Sequence, residues 1–182
     1  MTIDKPCVLV TGAGQGLGRA IAERFHTAGY HVIATDYADH LLADISEADG
    51  YTTATFDVRS EADAAKIASL VKETLGRLDI IVNNAGVNAF YPVVEAPPSM
   101  TINAFMINTF GPLIATHACL DLLVASQGRV INIASESSPV RTPFQAYQAT
   151  KMSLEALCDV MRRELMLVGV HVAFIRPGAI QT

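Results

Sequence analysis

Tyr147 and Lys151 stand four residues apart in a segment with helical periodicity, which puts both side chains on one face. A phenol titrates near pH 10 and is a poor base at neutral pH. A neighbouring ammonium favours the phenolate, so Lys151 is expected to lower that value. Lowering it by about three units takes roughly 4 kcal/mol, within reach of Lys151 helped by a second positive charge. Ser135, just past the apolar run Val130-Ile131-Asn132-Ile133, could hydrogen-bond the same substrate oxygen. The chemistry on offer is proton transfer at a hydroxyl or carbonyl. Taken alone, Tyr-x-x-x-Lys also fits a surface pair that merely stabilises a helix.

The head of the chain suggests what such a group would work with. The glycine pattern G-x-G-x-x-G does not fit, since its third glycine falls on Leu17 counted from Gly12 and on Arg19 counted from Gly14. T-G-x-x-x-G-x-G does fit, with Thr11, Gly12, Gly16 and Gly18 directly after the apolar run Cys7-Val8-Leu9-Val10. A buried strand thus enters a tight turn and then a helix, whose free N–H groups can bind a pyrophosphate. Thr11, Gly12, Gln15, Gly16 and Leu17 form that cradle, and Gly18 lets helix and sheet pack closely. A ligand-free turn is the competing explanation. Asp36 closes the next strand-like run, where a carboxylate can accept hydrogen bonds from both adenosine ribose hydroxyls. It would repel a 2′-phosphate by up to ~4 kcal/mol per unit charge at 4 Å. Gln15 and Tyr37 add no positive charge, so the expected cofactor is NAD, with NADP disfavoured. Asp36 as a helix N-cap is the bland alternative.

These residues need a scaffold, and the chain alternates strands and helices. Strand-like runs lie at 6–11, 30–35, 52–56, 78–82, 129–134 and 170–175, and helical patterns at about 17–28, 38–48, 61–76, 99–126 and 147–168. Leu17, Ile21, Phe25 and Ala28 give one apolar stripe, and Ala64, Ile67, Leu70, Val71 and Leu75 another. The strands are rich in Val and Ile, as expected when helices cover both faces. The implied fold is α/β: right-handed βαβ units in a doubly wound, Rossmann-like parallel sheet of order 3-2-1-4-5-6.

A length of 182 residues suits one domain with a sizeable core. With 51% hydrophobic residues, some apolar surface is expected to enter subunit contacts. A net charge of −5 without a basic run argues against nucleic acid. Cys7, Cys119 and Cys158 read as reduced core thiols of a cytoplasmic protein, and the five histidines show no metal-ligand spacing. The apolar stretch at 112–125 is too short to span a bilayer, and residues 1–5 do not read as a signal peptide.

Taken together, the motifs resemble the classical short-chain dehydrogenase/reductase family from Lys5 to Thr182. Matching in order are the turn at 11–18, Asp57-Val58, Asn83-Asn84-Ala85-Gly86, Asn108, Ser135 with Tyr147 and Lys151, and Pro177-Gly178-Ala179-Ile180-Gln181-Thr182. The resemblance implies that Asp57 and Val58 contact adenine, and that Asn84, Ala85 and Gly86 line the ribose. Pro177, Gly178, Ile180 and Thr182 would hold the nicotinamide carboxamide. Lys151 would hold the nicotinamide ribose and tune Tyr147, while Asn108 binds a water in a proton relay. The family usually sets its serine thirteen residues before the tyrosine, where this chain has Ala134. Ser135 fits if the loop is one residue shorter, with Ser137 and Ser138 as substitutes.

The expected activity interconverts a secondary alcohol and a ketone on a small to medium, largely hydrophobic substrate, flanked by segments 87–91 and 139–144. An NAD-binding sensor and a non-catalytic truncated family member are the alternatives. Helices 99–126 and 147–168 would join a homodimer or homotetramer through Phe105, Leu113, Leu120, Leu157, Met161 and Leu165. The family normally continues into a substrate lid, a helix and a seventh strand. The resemblance thus implies a single domain, 1–182, left incomplete at its C-terminus and lacking that strand.

Overall fold

The computed structural model describes residues 5–45 and 50–180. Its strands are β1 (Cys7–Thr11), β2 (His31–Asp36), β3 (Tyr51–Thr55), β4 (Ile80–Asn83), β5 (Arg129–Ile133) and β6 (His171–Ile175). They form one parallel sheet in the order β3-β2-β1-β4-β5-β6, as the sequence predicts. Val8 of β1 stands level with Val32 of β2 and Ile80 of β4, so the first βα turn opens at the centre of the sheet.

The helices are α1 (Gly16–Thr27), α2 (Glu61–Thr74), α3 (Pro98–Phe105), α4 (Gly111–Ala118), α5 (Leu120–Ser126) and α6 (Ala146–Leu165). Successive strand residues face opposite sides, which divides the core in two. Leu9, Ile33, Ile81 and Val130 pack against Ile67 and Val71 of α2, Leu123 of α5 and Leu154 of α6. Val8, Val10, Val32 and Val82 meet Leu17, Ile21 and Phe25 of α1 on the other side. Coverage is thinner at β6, whose His171 and Ala173 are exposed, so continuous burial holds for β1 and β2 but not there.

Two expected helices differ. At 38–48 there is only a 3-10 turn, Asp39–Leu41, and residues 46–49 lie outside the described residues. Leu42 and Ile45 still reach the core, through turns rather than a helical stripe.

The long element at 99–126 is three helices joined by a π-helical segment, Met106–Phe110. Pro112 has no N–H, so the Asn108 carbonyl four residues earlier cannot receive its ordinary helical bond. Gly111 N–H reaches back instead to Met106 O, five residues away. A second break at Cys119 bends the axis by 63°. Among the described residues no single helix is long and apolar enough to cross a membrane, although this bent pair passes by length and composition.

Candidate active site

The carboxyl ends of the strands open into a cleft of about 1130 Å³. Ligands of open parallel sheets bind at such a place, where the strand order reverses. Gly12 and Gly16 adopt φ of +65° and +54°, which glycine tolerates without strain. A Cβ on Gly18 would stand 1.9 Å from the Gly12 carbonyl oxygen, so the α1 helix packs directly on its own turn. Asn84 Nδ2 donates to the carbonyls of Thr11 and Gly12, both at 3.0 Å. Thr11 Oγ1 accepts from the amides of Asn84 and Ala85, both at 3.1 Å. Thr11 is buried behind the cleft, and both side chains are committed to welding the turn to β4.

Gly12, Gln15, Gly16, Leu17, Asn84, Ala85 and Gly86 line the cleft, as do Asp57, Val58, Pro177, Gly178 and Ile180. Thr182 lies outside the described residues. Asp36 ends β2 on the cleft wall; its Oδ2 accepts from Gly14 N at 2.9 Å and its Oδ1 from Tyr37 N at 2.8 Å. The following 3-10 turn begins at Asp39 with Ala38 at its cap, so Asp36 is not a helix N-cap. Its bond to Gly14 escaped the sequence reading, which treated that glycine as a spacer. Asp57 is held by Arg59, with Nη2 to Oδ2 at 2.6 Å, and the guanidinium favours the ionised carboxyl. Arg59 also reaches Asn103 Oδ1 on α3 at 2.7 Å.

At the other end, Ser135, Tyr147 and Lys151 line the cleft together, with Asn108 buried behind them. Ser135 leaves β5, and Ser137 Oγ is its hydroxyl partner at 2.8 Å. Ser138 turns inward, 1% exposed, with its hydroxyl donating to the Ser135 carbonyl at 2.7 Å. Asn108 Oδ1 accepts from Val87 N, while its Nδ2 donates to Val87 O and to Thr150 Oγ1. The sequence offered no signal for Thr150, which also donates to the Tyr147 carbonyl at 2.6 Å.

The family model for short chain dehydrogenase matches residues 6–182, which includes all of this constellation. This chain belongs to the short-chain dehydrogenase family. It is 35% identical over 185 residues to the short-chain dehydrogenase ptmH of Penicillium ochrochloron, covering 99% of this chain and 68% of that protein. The NADPH-dependent 3-dehydrocapnine reductase of Ornithobacterium rhinotracheale is 32% identical over 184 residues, covering 96% of this chain and 65% of the reductase. A solved short-chain dehydrogenase from Streptomyces avermitilis superimposes with a TM-score of 0.92 at 33% identity, over 99% of this chain and 68% of that one. A metagenomic short-chain oxidoreductase in complex with NADP gives 0.89 at 28% identity, over 99% and 85%. The chain is therefore a short-chain dehydrogenase/reductase, an enzyme of a family that acts on small molecules with a nicotinamide cofactor.

The electrostatics of this short-chain dehydrogenase differ from the sequence expectation at Tyr147. Burial raises its pKa, and the Ser135 hydrogen bond opposes this only in part. Lys151 Nζ sits 5.8 Å from the Tyr147 ring centre and donates to the Ile133 carbonyl at 2.7 Å. In the field of the chain itself, Tyr147 is a phenol.

Burial lowers Lys151 from 10.5 to about 8. Between those two values the unfolded chain binds more protons than the folded one, so stability rises with pH through that window. Below pH 8 the cost of burying the ammonium is full. Lys151→Met should therefore stabilise the chain by up to about 3 kcal/mol at pH 7, an advantage that shrinks toward pH 10. Urea midpoints at the two pH values measure it. An equal difference at both would refute the assignment.

Proposed function

We propose that this enzyme uses NAD to interconvert a secondary alcohol and a ketone on a small to medium, largely hydrophobic substrate. One observation carries this reading: Ser135 and Tyr147 line the cleft together with apolar Val87 and Phe90, whose ring lies 6.1 Å from that of Tyr147. Ser135 orients the substrate oxygen, and Tyr147 gives or takes the proton at that atom. Asp36 holds the adenosine ribose, and Asp57 and Val58 face the adenine. Lys151 holds the nicotinamide ribose, and Pro177, Gly178, Ile180 and Thr182 hold the carboxamide. Asn108 places Thr150 and Val87 around the tyrosine and serves a proton relay. When bound, the nicotinamide supplies or accepts the hydride. The intact Ser135/Asn108/Tyr147/Lys151 set favours an enzyme over an NAD-binding sensor or a non-catalytic family member, neither of which needs it.

Incubating the protein with NAD and a panel of alcohols, and following absorbance at 340 nm, tests the reading. Apolar secondary alcohols should give NADH; silence across the panel with both NAD and NADP would sink it. Ser135→Ala should lower kcat by about 10²-fold, whereas inward-facing Ser138→Ala should cost only a few-fold. The reverse order would move the role to Ser138.

Cys7, Cys119 and Cys158 are free and buried, which supports a reducing, cytoplasmic setting. We further propose self-association through α3–α5 and α6, where Leu113 is 38% and Ile102 62% exposed. Met161 does not contribute, since it packs in the protomer's own core. Light scattering at micromolar concentration should give a dimer or tetramer, and a monomer would refute this.

A further inference from the structure

Glu155 follows Tyr147 by eight residues and Lys151 by four, on the same face of α6. It is 9% exposed, and a carboxylate so placed is costly unless it is paired. Arg176 supplies a two-point partner, Nε to Oε1 at 2.8 Å and Nη2 to Oε2 at 2.6 Å. Arg176 directly precedes Pro177, and its guanidinium carbon lies 5.4 Å from the centre of the Phe174 ring. The Ser138 hydroxyl, 2.7 Å from the Ser135 carbonyl, has the Glu155 carboxylate as an alternative acceptor and so favours its charged form. Backbone bonds continue the β5–β6 pairing past the strand ends: Ala134 N donates to Ile175 O at 2.8 Å and Glu136 N to Pro177 O at 3.0 Å. Neither Glu155 nor Arg176 lines the cleft. Three segments therefore meet at one buried carboxylate: the serine loop, the tyrosine–lysine helix and the stretch after β6.

We propose that Glu155 is a positioning residue whose ion pair with Arg176 holds the Ser135 loop and the 177–180 segment in register with Tyr147 and Lys151. This rests on the reading above that the 177–180 segment holds the nicotinamide half of the cofactor. The pair acts at that half alone, because it stands beyond β5 and β6, whereas the glycine turn follows β1 and Asp36 ends β2, on the other side of β4.

The test compares wild type, Glu155→Gln and Arg176→Leu, each checked for folding by thermal melting. Calorimetric titration with NAD and with ADP-ribose, which lacks the nicotinamide, separates the two halves. Either variant should bind NAD about tenfold more weakly and ADP-ribose within about twofold of wild type. Equal weakening of both ligands, or of neither, would overturn the proposal. A second readout needs no cofactor: amide exchange at Glu136, which donates to Pro177 O, should rise about tenfold. Exchange at Asn84, bonded to Thr11 at the other end, should stay unchanged. Unchanged exchange at Glu136 also overturns it. Wild type that fails to bind NAD would instead overturn the cofactor reading, and the exchange result would still decide the role of Glu155.

Discussion

Tyr147→Phe should lower kcat by about 10²–10⁴-fold while leaving NAD affinity within about threefold of wild type. The substitution removes one oxygen and keeps the ring, which packs beside Ala89, Ala104 and Ala146 and faces Phe90. Backbone anchors survive as well, from Tyr147 N to Ala89 O and from Thr150 to the Tyr147 carbonyl. What disappears is the transferable proton. Lys151→Met should instead damage both kcat and NAD binding, because its ammonium faces the cleft as well as the Ile133 carbonyl. The pH dependence carries a sign. Burial keeps Tyr147 protonated at neutral pH, so in the proposed mechanism it stands ready as a proton donor for ketone reduction. Alcohol oxidation needs the phenolate, so its rate should climb with pH. That slope should vanish in Tyr147→Phe. Steady-state kinetics with calorimetry measure both effects, and retention of more than a few per cent of activity would make the mechanism wrong.

The sheet was legible because its signals are local and redundant. Val- and Ile-rich runs bounded by the glycine turn leave one parallel order once the first βα turn binds phosphate. Every strand begins and ends within two residues of its expected place. The misjudged helices had a visible cause in one case. Pro112 sits mid-pattern and removes the amide that Asn108 would meet, yet hydropathy alone runs through it. The 38–48 stretch carries Leu42 and Ile45 at a spacing that a helix or a turn can satisfy equally. Motif positions that line the cleft could be picked out along the chain; their partners could not. Thr150 beside Asn108, Gly14 beside Asp36 and Arg176 beside Glu155 are separated by 42, 22 and 21 residues. No periodicity links such pairs, because packing of separate elements creates them. The tyrosine field was misjudged for a related reason. Spacing shows that a lysine is near, but only burial shows which effect wins.

Asp36→Arg should shift the ratio of NADP to NAD affinity by about 10²–10³-fold toward NADP. The Asp36 carboxylate stands on the cleft wall with each oxygen accepting one backbone N–H, from Gly14 and from Tyr37. A carboxylate offers about four acceptor positions, so two remain for ribose hydroxyls. A 2′-phosphate would meet the same oxygens and gain only repulsion. Among similar proteins, one is an NADPH-dependent reductase and another was solved with NADP, so family membership alone leaves the choice of cofactor open. The charge at this one position is what argues for NAD. Arginine would reverse the sign and add a fork that suits phosphate. It would also strip the Gly14 amide of its acceptor, so the turn should loosen and melting temperature fall alongside the switch. Asp36→Asn separates the two effects in part: it removes the charge and keeps one acceptor oxygen for Gly14 N, while its amide nitrogen leaves Tyr37 N without an acceptor. Its NADP discrimination should fall about tenfold, with a smaller fall in melting temperature than in Asp36→Arg. Titration of all three proteins with both cofactors decides the matter, and tighter binding of NADP than NAD by wild type would defeat the assignment to NAD.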